Sequence, residues 1–190
     1  MILVDLDLSP HVRKPVRGDP GSDSDPAFHA SMTKRASSTR PVPNDRSSRV
    51  PSARTLARFL REAQAAVRLR GQVSVLLTTD REIRRLNRQF RGKDKATDVL
   101  SFPADGFIQK TEKIAGDLAI SVPTARRQAR EQGHPLSVEI KVLILHGLLH
   151  LAGFDHERDT GQMARREKLL RRRLRLPEGL IERTKAGAAR

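Results

Sequence analysis

Three of the chain's six histidines fall within eleven residues, HGLLHLAGFDH at 146–156. His146 and His150 are four apart, and on a helix that spacing projects both imidazoles from one face, as two ligands of one ion require. Gly153 permits the left-handed conformation that ends a helix, and three residues later His156 can fold back toward the first pair. Three neutral nitrogens without a thiolate suit zinc and leave a fourth position for water. Three imidazoles suit nickel as well. Asp155 has two readings: a fourth ligand, which would make the site structural, or a carboxylate that orients an imidazole or caps the turn.

The spacing H-x3-H-x2-G-x2-H is also that of the metzincin proteases. Those enzymes need Glu directly after the first His, as the base that activates water. This chain has Gly147 there, so it keeps the cage and loses the base. Glu139 lies seven residues before His146, nearly two helical turns away and too far along the axis to substitute.

The elements that must position these histidines are legible from periodicity. The run LSVEIKVLILHGLLHLAG reads as a central helix capped by Ser137 and stopped by Gly153, with the metal site at its C-terminal end. Upstream, Ser52 caps a helix whose Leu56, Phe59, Leu60, Ala63 and Val67 fall at helical spacing. The strand GQVSVLLTTD ends near Asp80, which is placed to cap the next helix; there Ile83, Leu86 and Phe90 form the inward face. A charged loop runs into a short strand at about Asp98 to Phe102, closed by Pro103, and IAGDLAIS is another strand. VPTARRQAREQG is a helix with Pro123 in its first turn and Gly133 at its end. A basic helix from about Thr160 to Arg175 turns Met163, Leu170 and Leu174 inward, and its arginines read as a solvated face or an RNA-backbone track. The class is α+β (α/β-like): a small mixed sheet of about four strands covered by about five helices.

Residues 1–8 alternate apolar and acidic, a first strand with one buried face. Residues 9–51 are rich in Ser, Pro, Arg and Asp, and are expected to be a disordered or loosely attached insertion. The main domain is expected at 52–176, with a flexible basic tail at 177–190. Composition narrows the function classes. Net charge is +15, which points to a polyanion, nucleic acid first. Cysteine is absent, which excludes disulfides and thiolate metal sites. No run approaches the ~18 apolar residues of a membrane helix, and MILVDLDLSP lacks the basic start and long apolar core of a signal peptide. A cytoplasmic protein without membrane partners is expected.

The motifs resemble a known family. HGLLHLAGFDH is similar to the H-G-x-L-H-L-x-G-x-D-H signature of the bacterial YbeY family, rRNA maturation factors and single-strand-specific endoribonucleases. LNRQFRGKDKATDVLSFP at 86–103 resembles that family's L-N-x-x-[YF]-R-x-K-D-x-[PA]-T-D-V-L-S-F-P block, GDLAIS at 116–121 a third block, and MARREKLL at 163–170 its M-x-x-x-E run. Ala96 stands where many members have Pro, and the 9–51 segment is longer than is usual there.

The resemblance implies zinc held by His146, His150 and His156, with Arg91 lining the same cleft. It implies cleavage of RNA in maturation of the 3′ end of 16S rRNA and in ribosome quality control. The partners would be rRNA, the small ribosomal subunit with its proteins, and an assembly GTPase. Zinc can polarise a phosphoryl oxygen or bring the pKa of a bound water toward ~7, and either that water or the RNA 2′-OH would attack. Arg91 would take up charge developing at the scissile phosphate through paired hydrogen bonds. Lys93 and Lys95 would hold flanking phosphates. Phe102, Phe107 and Phe154 read as packing, so little base selectivity is expected. Two other readings stay open: a non-catalytic ribosome-assembly factor with a structural zinc, and a zinc hydrolase of another class.

Overall fold

The computed structural model describes residues 2–4, 46–104, 113–156 and 159–177. Within them a four-stranded mixed sheet has β1 (Ile2–Val4), β2 (Gln72–Thr78) and β4 (Ile114–Ser121) parallel, with β3 (Val99–Pro103) antiparallel to β4. The order is β1-β2-β4-β3, so β3 is an edge. Pro103, which has no N–H to offer, closes that edge strand. Five α-helices accompany the sheet among the described residues: α1 (Ala53–Val67), α2 (Asp80–Arg91), α3 (Val122–Glu131), α4 (Leu136–Leu151) and α5 (Gln162–Arg173). The α+β class, the four strands and the five helices are as read from periodicity.

Alternation in the strands divides the core. Val73, Val75 and Leu77 of β2 and Leu118 and Ile120 of β4 face a large cluster with α1 and α4. Ala119 faces the other way and packs with Ile83 of α2 and Leu100 of β3. Helix α4 buries eleven of its sixteen residues, so it is wrapped all round rather than lying amphipathically on a surface. The five apolar residues expected to face inward on α1 are all buried; truncating Leu56 or Leu60 to Ala would cost ~2–5 kcal/mol.

Several local details differ from the sequence reading. Thr79, not Asp80, caps α2, its hydroxyl accepting from the Glu82 N–H. Asp80 instead accepts from the hydroxyls of Ser121 and Thr124 and from Arg127 Nη1. Burial pushes its pKa up, but these donors outweigh that and hold it below the usual carboxylate range. Ser137 lies inside α4, whose N-cap is Pro135. Phe90 is 59% exposed instead of inward, because α2 ends over the edge strand and, among the described residues, no further strand lies beyond it. Helix α5 begins at Gln162. Val50 already packs on the core and Arg46–Ser48 forms a 3-10 turn, ahead of the expected boundary at 52. The rest of the expected first strand, residues 9–45, Phe107 and 178–190 lie outside the described residues. No helix among the described residues is long and apolar enough to cross a membrane.

Candidate metal centre

Helix α4 carries His146 and His150 in its last turns, and Gly153, at φ +88°, turns the chain so that His156 comes back over them. One ligand nitrogen from each of the three rings lies within 4.8 Å of the others. The Nε2 atoms of His146 and His150 are 3.2 Å apart, and His156 sits 5.5 and 5.2 Å from their ring centroids. No other described Asp, Glu, His or Cys joins this group.

The surroundings set the protonation of the ligands. Glu167 of α5 places Oε2 3.1 Å from His146 Nδ1. An ionised carboxylate only accepts, so His146 Nδ1 is the donor and its Nε2 is the nitrogen turned toward His150. Burial raises the proton affinity of Glu167, but the hydrogen bond with His146 and the charge of Arg171 overcome this and leave its pKa lowered. Arg171 is 2% exposed and donates Nη2 to Glu167 Oε1, so this arginine belongs to neither the solvated face nor the RNA track expected of α5. Burial, then the nearby His146 and His156, brings the His150 pKa down to about 4. His156 Nδ1 is buried without a hydrogen-bond partner, a cost that a bound cation would remove. A neutral His150, a His146 ring oriented by Glu167 and an unpartnered buried nitrogen on His156 fit a divalent ion.

A cavity of about 560 Å³ opens beside His150, and its walls include Arg91, Ser101, Phe154 and Asp155. Arg91 ends α2 and crosses the sheet edge, donating Nη2 to the Ser101 carbonyl at 3.2 Å. The Ser101 hydroxyl reaches back to the Gly147 carbonyl at 3.4 Å, which ties the edge strand to α4. Asp155 lines the cavity, and its carbonyl accepts the Asp159 N–H; it stands outside the histidine group. Lys93 and Lys95 are exposed in the loop after α2 and do not line the cavity. That loop is ordered by Asn87, whose Nδ2 donates to the Lys95 carbonyl at 2.7 Å. Asp98 fixes the next turn, accepting from its neighbour's N–H and from Gln128. Glu139 is fully buried against His134 at 3.0 Å, remote from the role of a base. Sequence reading passed over Glu167, although the M-x-x-x-E run at 163–167 was its signal.

A three-imidazole group at a helix end, with His150 and the Arg91 guanidinium lining one open cavity, defines a protein that can hold a metal ion beside a polar cleft. The chain belongs to the YbeY family: the family model described as Endoribonuclease YbeY matches residues 39–175. It is 56% identical over 135 residues to the Endoribonuclease YbeY of Koribacter versatilis, covering 70% of this chain and 84% of that one. With the protein of the same name from Solibacter usitatus it shares 53% identity over 131 residues, 69% of this chain and 85% of that one. A solution structure from Thermotoga maritima is 27% identical, covers 73% of this chain and 90% of its own, and gives a TM-score of 0.46.

Proposed function

We propose that this chain is a zinc-dependent endoribonuclease that cuts single-stranded RNA, with the metal on His146, His150 and His156 and Arg91 at the scissile phosphate. The observation that carries the reading is the placement of Arg91 and His150 on one cavity in a chain whose relatives are named endoribonucleases. When bound, zinc would supply Lewis acidity toward a phosphoryl oxygen and a lowered pKa for water.

The protein's own residues do the rest. His146, oriented by Glu167, and His150, kept neutral by burial, offer lone pairs to the cation. Arg91 draws the RNA phosphate into the cavity and takes up the negative charge that builds on its oxygens as the bond breaks. The Ser101 carbonyl holds that guanidinium at the cavity edge. Asp155 steadies the turn that carries His156. Lys93 and Lys95, away from the cavity wall, contact flanking phosphates. The unit of function spans residues 52–176, with 9–51 and 177–190 as appendages. The substrate is rRNA in the small ribosomal subunit, at the 3′ end of 16S rRNA, in maturation and quality control in the cytoplasm. Subunit proteins and an assembly GTPase present it.

The test is cleavage of a single-stranded RNA and its duplex by purified protein, before and after chelation, with zinc or nickel restored. Metal-dependent cutting of the single strand alone supports the reading. Metal-independent cutting, or cutting that survives Arg91→Ala unchanged, overturns it and favours an assembly factor with a structural ion.

A further inference from the structure

Phe90 lies where helical periodicity requires an inward side chain, four residues after Leu86 and three after buried Asn87, yet it is 59% exposed. Single exposed apolar residues are ordinary; the setting of this one is not. It is held edge-on to Phe102 with ring centroids 5.3 Å apart and planes at 69°. Phe102 is itself partly buried on the cluster of Ile83, Leu100 and Ala119. The ring is thus anchored from below and open to solvent.

Its neighbours are cationic. Arg88, Arg91 and Lys93 are exposed within three residues of it. The single acid between residues 85 and 97, Asp94, is engaged by Arg84 at 2.6 and 2.8 Å. The next residue, Arg91, reaches the carbonyl of Ser101, and Ser101 is the neighbour of Phe102. Phe90 and the cavity that holds His150 therefore flank the same edge strand, β3.

We propose that Phe90 is the base-stacking platform of the RNA site, taking the base of a nucleotide that adjoins the phosphate at Arg91. The inference rests on the RNA-cleaving reading above. An aromatic face stacks on any base, so the platform adds affinity without sequence selectivity. A base can lie flat on Phe90 only if it is unpaired, so the platform also selects against duplex.

The chain contains no Trp and no Tyr, so a Phe90→Trp variant carries a sole, local fluorophore. The probe is a 2′-O-methyl RNA oligomer, added to full-length metal-loaded protein, beside an abasic backbone of equal charge. The expected result is quenching by the oligomer and little by the abasic backbone. A Leu169→Trp variant, at the other large apolar side chain exposed among the described residues, stays silent to both. Phe90→Ala and Phe90→Leu keep the wild-type melting temperature and bind the oligomer roughly 5- to 150-fold more weakly. Unchanged binding by both variants, or equal quenching by the abasic backbone, overturns the platform alone. An oligomer that fails to bind wild-type protein overturns platform and RNA reading together. Binding with stacking but no cleavage of ordinary RNA overturns the nuclease reading and leaves the platform in place.

Discussion

Glu167 Oε2 sits 3.1 Å from Nδ1 of His146 across twenty-one residues of sequence, and the other oxygen of that carboxylate is held by buried Arg171. The contact fixes which nitrogen of His146 faces the cage. It also makes one buried carboxylate answerable both to the metal and to the seating of α5.

Glu167→Gln is therefore expected to weaken metal binding about 10- to 100-fold, read by competition with a chromophoric chelator. It leaves Arg171 uncompensated in the interior, so we expect a stability loss of ~3–5 kcal/mol in urea melts of metal-free protein. Replacing Glu167 and Arg171 together with apolar residues of similar volume should recover most of that stability and none of the metal affinity.

The pH dependence of the metal-free protein follows from His150. Its folded pKa is about 4, against an ordinary value of 6.5, so over that interval the unfolded chain binds the proton that the folded chain refuses. Stability is then expected to rise with pH from about 4 to 6.5 and to lose this dependence above. Chemical melts across that range should show the slope in wild-type protein and a shallower one in His150→Gln. Elemental analysis should find close to one metal per wild-type chain and little in the variant.

Arg91 is exposed and donates to a carbonyl at the sheet edge, so removing it should barely affect folding. Arg91→Ala is expected to lower RNA cleavage about 100- to 1,000-fold, with the melting temperature within a degree or two of wild type as a rough expectation for a surface change. Arg91→Lys should recover little, because a lysine cannot form two parallel bonds to a phosphate.

Gly147 occupies the position where a metzincin has its catalytic Glu, and space forbids a side chain there. A Cβ would lie 2.6 Å from Leu118 Cδ2 and 3.2 Å from the Ser101 hydroxyl. Relief of the helical glycine returns about 1 kcal/mol, but overpacking costs about 1–3 kcal/mol. Gly147→Ala should thus be less stable by up to ~2 kcal/mol. Gly147→Glu should yield no casein-digesting activity and a large loss of soluble protein.

Periodicity and spacing in the sequence determined the mixed sheet, the helices and their order, and the convergence of the three histidines into one group that could hold an ion. Those readings rest on local rules: alternation in strands, the i, i+4 geometry of a helix, and glycine's access to positive φ at residue 153. The tertiary structure decided what lies between elements. It turned Phe90 outward, because whether a strand continues beyond β3 is a property of sheet order and not of α2. It gave Asp80 to Ser121, Thr124 and Arg127 instead of to its own helix, since those donors arrive from β4 and α3. It also buried Arg171 and Glu167 behind the metal cage. Charge alone reads such residues as surface, and only the packing of α5 on α4 provides the partners that let them leave water.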